Sequence, residues 1–222
     1  MKVDIDYLNK NIIVGFVILI AIIFLLFNSS QLHLDNSLKI LLTFSLFIFA
    51  GLLLRRSNKF VSGQIGEKDV EIELKKLGEK YVCINGLETG HGNIDKIVLG
   101  PTGIWTLEVK SHKGSVTFEN DSLIINGKIP EKDFLKQSYA EAKYLEDLIK
   151  SKLNLEIKVQ PVLVFSDKFA KVRLGMRTCR GVYVVGINWL NKLLTETHVQ
   201  SLDEDVILKI KDDLKFKGTV LI

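Results

Sequence analysis

Two long apolar runs open the chain, and a finer alternation follows them. Residues 12–27 are unbroken, IIVGFVILIAIIFLLF, and residues 38–54, LKILLTFSLFIFAGLLL, admit only Lys39, Thr43 and Ser45 as polar members. A membrane-spanning helix needs about 20 mostly apolar residues, so the two runs predict a transmembrane hairpin, with helices over residues 11–29 and 37–54. Beyond Arg55 the pattern shortens. RRSNKFVS, residues 55–62, reads as a basic linker, and apolar residues at helical spacing predict a helix from Gly63 to Leu77. A short strand is expected over 81–84, then a Gly-rich loop over 85–93 and a hairpin over 94–110. A second hairpin should pair 115–118 with 123–125, turning at Glu119-Asn120-Asp121. A long helix over 131–153, Val-rich strands over 157–165 and 181–185, and closing helices over 188–194 and 203–216 complete the chain. This order predicts one α/β domain over residues 63–222, a mixed sheet with helices around it.

Charge fixes the orientation of the hairpin. Lys2 and Lys10 precede the first run, Arg55, Arg56 and Lys59 follow the second, and the loop NSSQLHLDNS between them has no Lys or Arg. The positive-inside rule then places both termini and the soluble domain in the cytoplasm of a multi-pass cell-membrane protein. A signal peptide is disfavoured by Asp4 and Asp6 before the first run and by the lack of a small-residue cleavage site after it. The whole net charge of +4 falls in residues 55–222, a mild basicity that permits contact with nucleic acid without requiring it. Cys83 and Cys179 form no CxxC pair, which excludes a zinc ribbon and suggests two buried, reduced thiols.

The candidate chemistry lies in GNIDKIVLGPTGIWTLEVKSHKG, residues 92–114. A symmetric hairpin turning at Pro101-Thr102 sets Asp95 directly opposite Glu108, with Lys110 two residues on and on the same face. Opposed carboxylates destabilise a sheet unless something positive lies between them. Two hard oxygen donors suit Mg²⁺ or Mn²⁺, with water in the remaining positions. A metal acidifies a bound water and neutralises phosphate charge, and a lysine beside it can position that water. This is equipment for phosphodiester hydrolysis.

Together with GQIGEKDVEIEL near the start of the domain, the Gln that opens the long helix, and QPVLVFS in the next strand, the hairpin resembles the NERD (nuclease-related) domain. That family is grouped with the PD-(D/E)xK nuclease superfamily. The resemblance covers residues 61–185 and implies a restriction-endonuclease-like core, a mixed four-stranded sheet flanked by helices. It implies that Asp95, Glu108 and Glu67 bind the metal, and that Lys110 and Gln137 join them in the catalytic set. Lys96 stands where many members carry histidine.

Other residues admit plainer readings. Glu67 near a helix start also suits dipole compensation. Gln137, Glu141 and Tyr144 share one helix face, which an amphipathic stripe explains equally well. His91 and His112 flank the hairpin without ligand spacing, and Lys136 neighbours Gln137 on a solvated face. The leading expectation is a membrane-anchored, Mg²⁺- or Mn²⁺-dependent nuclease acting on nucleic acid, with DNA ahead of RNA. The alternative is a catalytically silent nuclease-like module that binds nucleic acid or a protein partner at the membrane.

Overall fold

The structure, a computed structural model, describes residues 13–15, 17–24, 35–89, 92–214 and 219–221. Its contacts divide the chain into two units, Met1–Ile65 and Gly66–Ile222. In the first unit, residues 13–15 and 17–24 are helical, and helix α1 (Asn36–Leu74) begins. Among the described residues no helix is long and apolar enough to cross a membrane. Residues 12, 16 and 25–27 of the first apolar run, and 28–34 of the expected loop, lie outside those described. Residues 55–62 are helical within α1, so the expected linker and the separate helix starting at Gly63 are corrected to one continuous element. RRSNKFVS contains no Pro or Gly to stop a helix, and its basic residues are good helix formers.

The second unit contains the last turns of α1 and a seven-stranded mixed sheet. Its strands are β1 (Val82–Glu88), β2 (Asn93–Gly100), β3 (Gly103–Lys110), β6 (Val159–Phe165), β8 (Thr178–Cys179), β9 (Val182–Gly186) and β10 (Thr219–Leu221), in the order β10-β1-β2-β3-β6-β9-β8. The sheet is wider than the implied four strands. β1, β2 and β3 are antiparallel neighbours, whereas β3, β6 and β9 run parallel. A smaller sheet holds β5 (Ser122–Ile125), β4 (Gly114–Glu119) and β7 (Ala170–Val172), in that order. Helices α2 (Phe134–Leu153), α3 (Ile187–Glu196) and α4 (Glu204–Leu214) pack around them.

Alternation along β2 and β3 sorts the core into two faces. Ile97, Leu99 and Ile104 join Ala142, Leu145 and Ile149 of α2. Val98, Trp105 and Leu107 join Val70 and Leu74 of α1 with Leu190 and Leu193 of α3. Every residue of β6 is buried, as a central strand between parallel neighbours requires. Asp133 caps α2, its carboxylate accepting from the Lys136 N–H at 3.0 Å. The second hairpin turns through Asn120 and Asp121, both left-handed (φ 48° and 59°), which matches the right-handed twist of the flanking strands. Both cysteines are free and buried. Burial pushes the Cys83 thiol up to about 11 and raises that of Cys179 as well.

Candidate functional site

The hairpin has the register its sequence predicts. Lys96 opposes Leu107, Ile97 opposes Thr106, and Gly100 opposes Gly103 across the turn at Pro101-Thr102. One further step of this register sets Asp95 against Glu108. The regular ladder ends before that step. The Val109 N–H, which the next rung would use, donates instead to Asp95 Oδ2 at 2.9 Å. On the other side, β1 pairs with β2 at Asn85↔Lys96 and at Leu87↔Ile94, but the intervening Gly86 has φ 66° and makes no pair with Asp95. Asp95 therefore sits where both neighbouring ladders are interrupted, and its carboxylate takes over a backbone donor that the break leaves free.

Glu108 and Lys110 point to the α2 face of the sheet by their spacing from Ile104. Glu108 is only 3% exposed, and one of its oxygens accepts a hydrogen bond from Lys110 Nζ. The same ammonium lies 4.7 Å from the centre of the Phe134 ring, a cation–π contact that holds the lysine between acid and aromatic. Opposite them, on α2, Gln137 Nε2 donates to Glu141 Oε1 at 2.9 Å, one helical turn apart. Glu108 and Glu141 lie within hydrogen-bonding reach of each other. Their second oxygens, Glu108 Oε2 and Glu141 Oε2, are buried and have no other partner.

The electrostatics follow from this crowding. Burial, then Asp95, raises the Glu108 carboxyl against the pull of Lys110. Burial raises Asp95 too, opposed by the Val109 N–H and by Lys110. Glu141 is pushed up to about 8 by burial and by the neighbouring Glu108. Three carboxyls thus crowd beside the Lys110 ammonium, and a proton shared among them, or a bound cation, relieves their repulsion.

Glu67 approaches from α1. Its carboxyl is raised by burial and then by Asp95, and Lys96 opposes the shift. The approach depends on Gly66. A Cβ there would collide with Ser166 Oγ and lie 3.3 and 3.4 Å from the Cβ atoms of Ser166 and Ser111, so a side chain would force the Ser166 hydroxyl aside and crowd the close approach of α1 to the ends of β3 and β6. Lys96 itself is 2% exposed, lies on the α1 face of the sheet, and donates to Asn85 Oδ1 at 2.8 Å. Burial lowers its ammonium, against Glu71 and Glu67.

The structure thus brings Asp95, Glu108, Lys110 and Glu67 into one neighbourhood. It places Gln137 at its edge, as the partner of Glu141. It leaves Lys136 and Tyr144 outside. Lys136 is exposed on α2. Tyr144 is also exposed. His112 borders the site: its ring is tilted against Phe134, the ring that Lys110 contacts, and edge-on to Phe165, 5.6 and 6.4 Å between centres. His91 lies outside the described residues. The sequence reading missed Glu141 as a member of the site; its signal was the single helical turn that separates it from Gln137.

Among the described residues, no group of three or more His, Cys, Asp and Glu side chains forms a metal cage. What the site does offer a cation is two buried carboxyl oxygens, on Glu108 and Glu141, that face neighbouring carboxyls rather than N–H or hydroxyl donors. That chemistry fits a hard divalent ion carrying several waters, since Mg²⁺ is commonly held by only one or two carboxylates.

Comparison with curated proteins and with solved structures finds no match. Residues 62–166, which hold every side chain of this cluster, match the family model of the NERD, nuclease-related, domain.

Proposed function

We propose that this chain is a membrane-anchored, nuclease-like protein whose domain hydrolyses phosphodiesters of nucleic acid with the help of Mg²⁺ or Mn²⁺. The observation that carries the reading is the set of buried carboxyls, Glu108, Glu141 and Asp95, packed against one another beside Lys110. Carboxylates crowded together out of water cost stability; a site that keeps them is arranged for a positive charge that arrives later. Asp95 and Glu108 would hold the ion, with Glu67 and Glu141 close enough to bind its waters. When bound, the ion would lower the pKa of a water and draw off phosphate charge. Lys110, braced by Glu108 and Phe134, presents its ammonium where a scissile phosphate or the attacking water would lie. Gln137 fixes the orientation of Glu141. The buried floor of β3 keeps bulk water from screening these charges.

The test uses the full chain in detergent with single- and double-stranded DNA and RNA. Cleavage should require Mg²⁺ or Mn²⁺ and should disappear in Glu108→Gln. Metal-independent cleavage would remove the ion from the reaction, and full activity in that variant would remove Glu108. A wild type that bound nucleic acid but cut none of these substrates would leave a binding module.

The anchor rests on the apolar runs and on the exposure of Leu38, Ile40, Leu41, Phe44, Phe47 and Ile48, an apolar surface that lipid would cover. The distribution of Lys and Arg supports a cytoplasmic domain. A phosphatase that works only after export, fused behind Ile222, should be inactive, while a fluorescent protein that folds only in the cytoplasm should glow. The reverse pattern would overturn the orientation and deprive the domain of cellular nucleic acid.

A further inference from the structure

One segment outside the carboxylate cluster concentrates charge of the opposite sign. KFAKVRLGMRTCR, residues 168–180, contains Lys168, Lys171, Arg173, Arg177 and Arg180 and no acid. Its +5 exceeds the +4 of the entire chain, so the other residues together are slightly acidic. The charges are ordered in space. Ala170, Val172 and Leu174 turn inward onto Val116, Phe165 and their neighbours, while Lys171, Arg173 and Arg177 are exposed. Lys171 on β7 and Arg173 just past its end thus present two cations on one face, about 6.6 Å apart. β7 is an outer strand of the small sheet. It pairs Ser115 with Lys171, and the Arg173 N–H donates to the Val116 carbonyl at 3.1 Å. Among the described residues, Lys168, Lys171, Arg173 and Arg177 take part in no ion pair, whereas Arg180 is held by Asp133 at 2.8 Å.

The stripe starts at the site. The Ser166 N–H donates to the Lys110 carbonyl at 3.0 Å, and the Gly114 N–H donates to the Phe169 carbonyl at 3.2 Å, so residues 166–172 run alongside the chain that leaves Lys110. At the head of the stripe, Phe169 is 60% exposed, with Lys168 Nζ 5.2 Å from its ring centre. An exposed ring beside the unpaired Lys168, followed by Lys171 and Arg173 at the repeat of an extended chain, combines a stacking platform with a phosphate track.

We infer that residues 168–177 form a binding track for single-stranded nucleic acid, with a base stacked on Phe169 and successive phosphates on Lys171 and Arg173, leading one strand toward Lys110. The inference rests on the nuclease-like reading for its direction, but it concerns binding alone. A duplex has its bases stacked inside and offers Phe169 no free face. Anionic lipid would take the same cations and bury the ring at the headgroup boundary, so the experiment includes a vesicle arm to separate the two.

The experiment measures binding of a fluorescent single-stranded oligonucleotide to the full chain in neutral detergent with EDTA present, so that cleavage cannot contribute. Wild type should bind the single strand more tightly than the duplex of the same sequence. Lys171→Glu with Arg173→Glu should weaken binding about tenfold or more, and Lys171→Gln with Arg173→Gln should reduce the log–log salt slope by about 1.4, as expected for two lost contacts to a single strand. Phe169→Ala should weaken binding about fivefold or more with the salt slope unchanged. Thermal melts matching wild type establish that these surface variants are folded. Wild-type affinity in the double variants would overturn the track, as would preference for the duplex. Loss of binding to phosphatidylserine vesicles with no loss for the oligonucleotide would overturn it too and assign the stripe to lipid. If the variants lose binding while wild type cleaves nothing, the track stands and the nuclease reading fails. If wild type cleaves and the variants bind and cleave equally well, the reverse holds.

Discussion

Lys110→Ala should lower metal-dependent cleavage by about two to four orders of magnitude, with a much smaller effect on nucleic-acid affinity. The expectation comes from how the side chain is held. Its ammonium bonds Glu108 and lies over the Phe134 ring, so its position is fixed before substrate arrives. Fixed groups act mainly on the transition state, because they need no reorganisation as charge develops. Lys110→Arg sharpens the point. The guanidinium keeps the positive charge but spreads it over a planar fork that does not fit between one carboxylate oxygen and a ring. It should restore binding and leave turnover low. Single-turnover cleavage and equilibrium binding of both variants, measured at saturating Mg²⁺, would check this. Wild-type cleavage in Lys110→Ala would exclude the residue from the mechanism. Equal turnover in the Arg variant and wild type would reduce the lysine to a phosphate contact.

The metal-free protein should lose stability as the pH is raised, the opposite of the usual behaviour of a carboxylate that is ion-paired in the fold. Glu141 is lifted from an ordinary value of 4.5 to about 8, and Glu108, Asp95 and Glu67 are raised in the same direction. The folded state therefore holds protons that the unfolded chain has already released. The contribution is fully present below about 4.5 and is lost as the pH climbs through 8, amounting to roughly 2 kcal/mol once solvent access to Glu141 is allowed for. Glu141→Gln supplies a neutral group of the same shape and should flatten most of the slope. Mg²⁺ favours the ionised cluster, so its stabilising effect should be larger at pH 8 than at pH 5. Thermal melts at those two pH values, with EDTA or with Mg²⁺, test all three statements. A flat profile in EDTA, or an unchanged slope in Glu141→Gln, would contradict the crowded-carboxylate account.

The hairpin and its acids were legible because a two-residue turn determines register locally: once Pro101-Thr102 is placed, every pair down to Lys96↔Leu107 follows. The second hairpin was legible for the same reason, with Asn120 and Asp121 able to adopt left-handed backbone. Non-local features were harder to read. Nothing in the sequence near Glu141 reveals that β3 lies across from it, since that contact depends on α2 packing against the sheet. β1 runs through to Glu88 because Gly86 bends it and lets Leu87 pair with Ile94, whereas the same glycine in the sequence suggested only a loop. β7, β8 and β10 are two or three residues long and exist through their neighbours, with too few residues for any periodicity to show. The continuity of α1 through residues 55–62 was hidden by a change in composition that carries no helix breaker.

The two buried cysteines lie toward opposite ends of the large sheet, Cys83 on β1 beside β10 and Cys179 on the far edge strand β8. With the thiol buried, and that of Cys83 raised to about 11, little thiolate is available to an alkylating reagent while the sheet is closed. Each sulfur then reacts at a rate set by how often its own end of the sheet opens. The native protein thus carries two internal clocks, one for each margin, and a single mass-spectrometric labelling series can time the loosening of both without introducing a foreign probe.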